Sequence, residues 1–392
     1  MQEVFFLSGV RTPIGSFLGS LSSLTAPQLG ANAIAASLER AGVAPDQVDE
    51  VLMGNVLSGG IGQAPARQAS RFAGLPDSVP CTTVNKVCGS GMKTIMIGAQ
   101  AIKCGDASVV VAGGMESMSN APYALFKARS GYRMGNGELI DLMIHDGLWD
   151  PYDNIHMGNA GELCTRECGI PRDRQDEFAA ESYKRALAAQ EACRLSDEIV
   201  PIEIPQRKGD PVVVDKDEEP GRGNIAKLPE LRPAFEKEGA VTAGNASSIN
   251  DGGAAMVLAS AEKAEALGAK PIARLLAYAQ HAQEPKWFTT APAYAIEKLL
   301  AKQGLRVGDI DLFEVNEAFS VVPLFVGDKV GIPSEKLNVN GGAVALGHPI
   351  GMSGTRLVLT LIHELRRRGG RYGIATPCIG GGEATAVLVE AL

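Results

Sequence analysis

Several features that would place a protein in a membrane, in an exported fraction or on nucleic acid are missing from this 392-residue chain. It has no apolar run long enough to cross a bilayer. Its first residues, MQEVFFLSGV, alternate like a strand and lack the basic region and cleavage site of a secretory signal. Lys and Arg number 37 against 45 Asp and Glu, and the net charge of −8 provides no electrostatic footprint for nucleic acid. We therefore expect a cytoplasmic protein that binds neither membrane nor nucleic acid.

The cysteine and glycine patterns exclude two further classes. The 7 cysteines are odd in number and irregularly spaced, which argues against a disulfide framework in a chain that is not exported. Cys164 and Cys168 stand four residues apart with His156 upstream, but a structural zinc site needs four ligands and no second pair lies nearby. The glycine clusters lack the G-x-G-x-x-G register of dinucleotide-binding loops. We expect no metal and no nicotinamide or flavin cofactor.

An internal repeat organises what is present. Residues 33–49, AIAASLERAGVAPDQVD, align without gaps on residues 295–311, AIEKLLAKQGLRVGDID, and both copies are typical of a helix, a glycine stop, a turn and a strand. The identical pairs are Ala33/Ala295, Ile34/Ile296, Leu38/Leu300, Gly42/Gly304 and Asp49/Asp311. Further along each copy, the dipeptide Val-Asn precedes a glycine-rich loop, an apolar helix and a strand. The sequence thus predicts a duplicated α/β unit.

The repeat also predicts the domain organisation. A chain of this length, with 45% hydrophobic and 21% charged residues, is expected to form two or three soluble domains. Helices alternating with apolar strands favour largely parallel sheets. Residues 119–249 break the pattern and contain one clear helix near 172–193. We predict an N-terminal half at 1–118 plus 250–268, an inserted loop domain at 119–249, and a C-terminal half at 269–392.

Three glycine-rich segments carry residues suited to thiol chemistry on an acyl group. They are VNKVCGSGMK with Cys88, ATPCIGGGEA with Cys378, and GHPIGMSG with His348. Neighbours without side chains let a substrate carbonyl approach a nucleophile closely. Cys88 opens a helix, whose dipole favours the thiolate form. The Cys88 and His348 loops correspond in the two copies, so pseudo-twofold packing would bring them together.

The order of these motifs resembles that of the thiolases. VNKVCGSGMK, VTAGNASSINDGGAA, NEAF, GHPIGMSG and CIGGGEA follow one another, and the match covers essentially the full chain, including the opening RTPIGSF and the segment HMGNAGE. The short-chain, biosynthetic thiolases are the most similar. The resemblance implies an α/β thiolase fold, with two duplicated halves packed as a layered αβαβα core, an inserted loop domain, and a homo-oligomer, either dimer or tetramer.

The resemblance also implies an activity and its residues. The activity is the reversible Claisen condensation of two acetyl-CoA to acetoacetyl-CoA plus CoA, with CoA as substrate and product rather than cofactor. Cys88 would carry the acetyl group, His348 would take the thiol proton, and Cys378 would be the base for the second acetyl-CoA. His348 and a water held by Asn316 would form one oxyanion hole, and backbone N–H groups near Cys88 and Gly380 the other.

The residues that would contact CoA are carried over in the same way. Ser247 would bind the pantetheine arm, and Arg222 a phosphate. The expected wall residues are Ala243, Ala318 and Phe319 in the core, and Leu148, His156, Met157, Leu231 and Phe235 in the inserted domain. The segment EPKWFTTAP replaces the Met-Gly of many short-chain thiolases with Trp287 and Phe288. Either this bulk shortens the accepted acyl chain, or it restacks the loop against the pantetheine.

Two other functions stay open at the level of sequence. A degradative 3-ketoacyl-CoA thiolase of broader chain length would use the same residues for cleavage. A carrier that binds acyl-CoA without turnover would be expected to lose one of the four residues Cys88, Asn316, His348 and Cys378, and all four are in place.

Overall fold

The computed structural model describes residues 2–392, which form 17 strands and 10 α-helices. The strands are β1 (Val4–Arg11), β2 (Gly15–Ser16), β3 (Glu50–Gly54), β4 (Cys81–Val84), β5 (Val109–Ser117), β6 (Tyr123–Ala124), β7 (Ile140–Asp141), β8 (Trp149–Asp150), β9 (Ile155–His156), β10 (Ile202–Ile204), β11 (Val212–Val214), β12 (Asn250–Ser260), β13 (Ala273–Ala282), β14 (Leu312–Val315), β15 (Tyr372–Thr376), β16 (Cys378–Ile379) and β17 (Glu383–Ala391).

The α-helices are α1 (Ala26–Ala41), α2 (Pro65–Phe72), α3 (Ser90–Cys104), α4 (Met157–Glu167), α5 (Arg172–Glu191), α6 (Ala261–Ala266), α7 (Ala291–Gln303), α8 (Val321–Val330), α9 (Ala343–Leu346) and α10 (Ile350–Arg368). Short 3₁₀ turns lie at Pro45–Gln47, Met118–Asn120, Ile225–Glu230, Pro285–Trp287, Val307–Asp309 and Ser334–Lys336, and a π-helical turn at Met143–Leu148. No helix among the described residues is both long and apolar enough to span a membrane.

The duplication is visible in the strand order of the main sheet. The order is β14-β15-β17-β13-β1-β12-β5-β3-β4. In each half the first strand, β1 or β13, pairs with the last, β12 or β17, and the other strands follow outward in matching order. The two halves meet where Val4 to Phe6 of β1 pair antiparallel with β13. The helix that precedes β3 or β14 stops at a left-handed glycine in both copies, Gly42 and Gly304.

The expectation of largely parallel sheets is wrong. Parallel pairing in the main sheet joins β3 to β4, β3 to β5 and β14 to β15, whereas the pairs made by β1, β12, β13 and β17 are antiparallel. The short connection 377–382 between β15 and β17 explains part of this difference. It is too short for the crossover that parallel neighbours need, so β17 returns antiparallel to β15.

The layered arrangement follows from the two faces of each strand. In β5, Val110 and Ala112 pack inward with α3 and α10, which contact each other between the halves. Val109 and Val111 point to the opposite face, where α1 and α2 cover the N-terminal half. Helices α7 and α8 cover the C-terminal half in the same way. The αβαβα core of the predicted fold is therefore confirmed.

The inserted segment packs over the end of the core that carries the Cys88 and His348 loops. Its main helix is α5, Arg172–Glu191, close to the helix predicted near 172–193. Helix α5 contacts α9, which immediately precedes the His348 loop. Strand β12 follows the insertion in the sequence and returns to the core, where it pairs with β1 and β5. The proposed boundaries at 118/119, 249/250 and 268/269 stay predictions.

Candidate active site

A cavity of about 270 Å³ opens between the two halves and the inserted segment. Cys88, His348 and Gly380 all lie on its wall, although they come from three separate loops. The remaining wall is mostly apolar and includes eight of the residues expected to surround CoA: Leu148, His156, Met157, Phe235, Ser247, Phe288, Ala318 and Phe319. An apolar cavity with a few convergent polar groups is the usual form of a small-molecule site.

Cys88 lies just before α3, in a tight turn. Val87 has a positive φ of 45°, and a Cβ on Gly89 would come within 2.3 Å of Ile379. The glycine thus lets the Cys88 turn pack closely on the Cys378 segment, and a side chain here would displace Ile379. Burial raises the pKa of the Cys88 thiol to about 11, although the N–H of Gly380 donates to it and lowers the pKa. Contrary to the expectation from the helix dipole, the thiol form prevails near neutral pH.

His348 is held on both ring nitrogens and on its backbone. Its N–H donates to Asn250 Oδ1 at 2.8 Å, Nδ1 lies 2.7 Å from Ser353 Oγ, and Nε2 lies 3.3 Å from Asn316 Nδ2. Burial lowers the pKa of His348 to about 3, and the positive charge of Arg356 lowers it further in the same direction. The imidazole is therefore neutral at neutral pH and able to accept a proton.

Cys378 occupies β16 behind the cavity and is fully buried. Burial raises the pKa of its thiol strongly, and the neighbouring Cys88 raises it further. Donors from the backbone of Cys378 and Ala318 and from the Asn316 side chain act in the opposite direction. A negative charge on Cys88 would thus raise the pKa of Cys378, and a Cys378 thiolate would have donors around it.

Asn316 follows β14, and its backbone N–H donates to Thr376 O at 3.0 Å beside β16. Its side-chain amide bridges His348 and Cys378. Within residues 2–392 its buried Oδ1 has no hydrogen-bond partner. Buried polar atoms without partners are uncommon away from functional sites. The Asn316 carbonyl oxygen is therefore placed for a ligand or a water.

Two buried carboxylates brace these loops, and sequence reasoning missed both. Glu317 accepts from Ser182 Oγ, Asn338 Nδ2 and the Val344 N–H, which ties the loop after β14 to α5 and α9. A second carboxylate, at the end of β5, ties the first half to the first turn of α10. That residue is Glu116, which accepts the N–H groups of Val56, Leu57 and Gly351. Glu317 stands inside the NEAF motif, which was a usable signal.

Aromatic rings form one side of the cavity. Phe288 and Phe319 meet edge to face with ring centroids 6.3 Å apart, and Phe235 meets Phe319 at 6.2 Å. His156 stacks on Phe235 at 4.8 Å. Ser247 donates from both N and Oγ to the carbonyl of Ala318. The wall is thus built jointly by the inserted segment and the C-terminal half.

Three of the expected CoA contacts lie elsewhere. Ala243 is exposed, Leu231 packs beside Leu228 over Gly244, and the side chain of Arg222 lies 3.2 Å from Glu218. None of the three lines the cavity, so their contact with CoA stays a prediction. The sulfurs of Cys164 and Cys168 lie 3.8 Å apart, and residues 2–392 contain no cluster of three side chains arranged to hold a metal ion.

Nine cavity residues were not singled out from the sequence. They are Val87, Met118, Met143, Ile144, Gly147, Ala246, Ser248, Ile249 and Ile350. Val87, Ala246, Ser248, Ile249 and Ile350 stand inside the recognised motifs. Met143, Ile144 and Gly147 belong to the π-helical turn of the insertion, and no motif pointed to them.

Comparison with known proteins defines the class to which this fold and site belong. Residues 4–262 match the family model described as "Thiolase, N-terminal domain", and residues 269–391 match "Thiolase, C-terminal domain". The chain belongs to the thiolase family.

Full-length relatives within that class are known. The chain is 54% identical to acetyl-CoA acetyltransferase 2 of Arabidopsis thaliana, covering 100% of this chain and 98% of the relative. It is 51% identical to acetyl-CoA acetyltransferase of Pseudomonas aeruginosa, covering 99% of each. Among solved structures, acetyl-CoA acetyltransferase of Bacillus anthracis has a TM-score of 0.98 at 44% identity, with 100% and 99% covered. A thiolase of Ascaris suum in complex with coenzyme A has a TM-score of 0.95 at 43% identity, with both chains fully covered.

Proposed function

We propose that this chain is an acetyl-CoA C-acetyltransferase, which joins two acetyl-CoA into acetoacetyl-CoA plus CoA and runs the same reaction in reverse. The observation that carries the proposal is that Cys88 and His348 lie on the wall of one cavity, with the buried Cys378 behind that wall and near Cys88. The similarity to acetyl-CoA acetyltransferases over the full chain supports it. CoA is a substrate and product, and the reaction uses no separate cofactor.

In the first half-reaction His348 acts as the base. Its neutral Nε2 takes the proton of Cys88 while the sulfur attacks the thioester carbonyl. The C–S bond of acetyl-CoA breaks, and the departing CoA thiolate takes the proton of the Cys378 thiol. Acetyl-cysteine at position 88, a thiolate at Cys378 and an imidazolium at His348 remain. The N–H of Gly380, which reaches the Cys88 sulfur, is close enough to stabilise the carbonyl oxygen during attack.

In the second half-reaction Cys378 acts as the base. Its raised thiol pKa makes the thiolate strongly basic, which suits removal of a proton from the methyl carbon of a second acetyl-CoA. The carbanion attacks the acetyl-cysteine, the acyl C–S bond breaks, and the Cys88 thiolate takes the proton from His348. Asn316 and the Nε2–H of the imidazolium lie together and supply donors for the enolate oxygen.

The choice of a short acyl chain rests on Phe288. This ring lines the cavity and is 2% exposed, packed edge to face against Phe319. We infer that a ring fixed in this way limits the space for an acyl chain longer than acetyl. The position of Phe288 therefore favours an acetyl-CoA enzyme over a degradative thiolase of broader chain length.

Two substitutions test the function directly. Cys88→Ala is expected to abolish both acetyl transfer and thiol labelling in the cavity. Cys378→Ala is expected to form acetyl-enzyme from acetyl-CoA, detected by intact mass, yet neither condense nor cleave. Cys193→Ala, at an exposed cysteine outside the cavity, is the matched control and should behave as the unsubstituted protein. Normal condensation by Cys378→Ala would exclude Cys378 as the base.

We also propose a cytoplasmic homo-oligomer, either dimer or tetramer. Free thiols at Cys88 and Cys378 persist in a reducing compartment. Strand β4 ends the main sheet, and such an edge is commonly covered by another chain. Residues 123–139 expose Tyr123, Leu125, Phe126, Tyr132, Met134 and Leu139. Sedimentation analysis of the protein and of a Phe126→Ser, Met134→Ser variant tests this: a monomeric parent would exclude assembly, and a smaller variant would place a contact at this loop.

A further inference from the structure

Ser353 lies in the first turn of α10, and its hydroxyl has two buried neighbours. Oγ is 2.7 Å from His348 Nδ1 and 2.8 Å from the carbonyl oxygen of Pro349. A backbone carbonyl can only accept, so the single hydroxyl hydrogen of Ser353 goes to Pro349. The oxygen lone pairs are then left to accept a hydrogen from Nδ1. This contact therefore favours the imidazole tautomer that carries its hydrogen on Nδ1.

The other side of the ring selects the same tautomer. Asn316 Nδ2 lies 3.3 Å from His348 Nε2, and the same amide group donates to Cys378. An amide nitrogen donates and does not accept, so Nε2 must supply a lone pair. Two independent hydrogen bonds, on opposite ring nitrogens, thus agree on where the imidazole proton resides.

We propose that Ser353 is a positioning residue that holds His348 in the tautomer whose Nε2 can take the proton of Cys88. The inference rests on the proposed function and deepens it. Without an oxygen at this position, Nδ1–H would be buried with no acceptor, which is unfavourable. The share of the tautomer with its hydrogen on Nε2 would then rise, and that tautomer has no lone pair for the Cys88 proton.

A neutral hydroxyl also fits the second half of the reaction. A carboxylate beside Nδ1 would stabilise the imidazolium and retain the proton. The Ser353 hydroxyl carries no charge, and Arg356 on the same helix disfavours a second positive charge. The proton taken from Cys88 is therefore held weakly and returns to the Cys88 thiolate when acetoacetyl-CoA forms.

A graded series at this position tests acceptor strength against size. Ser353→Ala removes the acceptor, Ser353→Cys keeps a similar shape with a weak acceptor, and Ser353→Thr keeps the hydroxyl. The rate of acetyl-enzyme formation at Cys88, followed by rapid quench and mass measurement, is expected to fall about 10²-fold in Ser353→Ala. The rate of Ser353→Cys should lie between those of Ser353→Ala and the unsubstituted protein. The rate of Ser353→Thr should be close to that of the unsubstituted protein. KM for acetyl-CoA should change little, because Ser353 does not line the cavity.

The outcomes separate this inference from the function on which it rests. Failure of the unsubstituted protein to form acetyl-enzyme would overturn the proposed function. If that protein forms acetyl-enzyme and Ser353→Ala does so equally fast, only the role of Ser353 is overturned. A rate that follows side-chain volume instead of acceptor strength would overturn it as well. Ser70→Ala, at a fully buried serine of α2, is the control for loss of a buried hydroxyl. Should Ser353→Ala not fold, the order of Ser353→Cys and Ser353→Thr decides.

Discussion

Asn316 Nδ2 lies 3.3 Å from His348 Nε2, although the two residues are 32 positions apart in the sequence. The contact joins the loop after β14 to the loop before α10. It places one amide donor beside the His348 imidazole, which in the proposed mechanism acts first as a base and then as an acid. Because the same amide reaches Cys378, a change at Asn316 affects both partners of the second half-reaction.

Asn316→Ala removes this donor without adding an acceptor beside His348 Nε2. The variant cannot donate to the enolate oxygen, so condensation should slow by about 10²-fold, equivalent to loss of ~3 kcal/mol of transition-state stabilisation. Acetyl-enzyme formation should fall less, because Gly380 serves that step. Steady-state condensation and rapid-quench acetylation, measured on the same sample, separate the two effects. Equal losses in both steps would contradict the assignment.

Phe288→Ala should widen the range of accepted acyl chains. The ring is buried at the cavity wall, and its removal frees space beside Phe319. We expect the ratio of kcat/KM for 3-ketohexanoyl-CoA to that for acetoacetyl-CoA to rise by about 10-fold, as expected for relief of a steric contact of ~1–3 kcal/mol. Trp287→Ala is the control, since Trp287 belongs to the same turn but does not line the cavity. An unchanged ratio would show that Phe288 only stacks the loop.

Alkylation of Cys88 should speed up steadily with pH. The thiol pKa lies at about 11 chiefly because of burial, and the negative charge of Glu116, whose own pKa is raised to about 7, contributes to that elevation. His348 stays neutral over this range. The thiolate fraction, and hence the iodoacetamide rate, should grow about 10-fold per unit between pH 7 and 10. Cys88→Ala gives the background of other cysteines, and a plateau from pH 7 upward would refute the prediction.

Arg356→Met should destabilise the fold strongly. Arg356 on α10 and Glu314 on β14 are both buried, with their charged atoms 2.9 Å apart. Removal of one partner leaves an uncompensated buried charge, so the free energy of unfolding should fall by ~3–5 kcal/mol. The double variant Arg356→Met, Glu314→Leu should lose less free energy of unfolding than the single variant Arg356→Met. Urea denaturation of both variants measures the difference, and equal losses would indicate that packing, not charge, dominates.

Sequence reasoning succeeded where local pattern fixes structure. The glycine stops at Gly42 and Gly304, the helix near 172–193 and the duplication of the core follow from propensity and periodicity. Strand direction did not follow, because the antiparallel entry of β12 depends on how the long connection from β5 closes in space, and that of β17 on the short return after β15. Alternating helices and strands alone favour the parallel solution.

The same division applies to the candidate site. Motifs identified Cys88, His348 and Cys378, since glycine neighbours leave a trace in the sequence. Glu116 leaves none, because its importance comes from partners that the fold brings to it from distant segments. Ser353 stands inside the motif GHPIGMSG, but only the structure shows its contact with His348 Nδ1. The low pKa of His348 is likewise a product of burial, which no single motif displays.

The last strand of each half has a consequence for biosynthesis. Strand β12 lies between β1 and β5, and β17 lies between β13 and β15. In each half of the sheet, a central strand is therefore the last one to be synthesised. Residues 1–249 can therefore emerge from the ribosome without a finished first sheet, and the Cys378 turn acquires its supporting neighbour only after residues 383–391 are made. Nascent chains stalled before that point should be sensitive to proteases and dependent on chaperones.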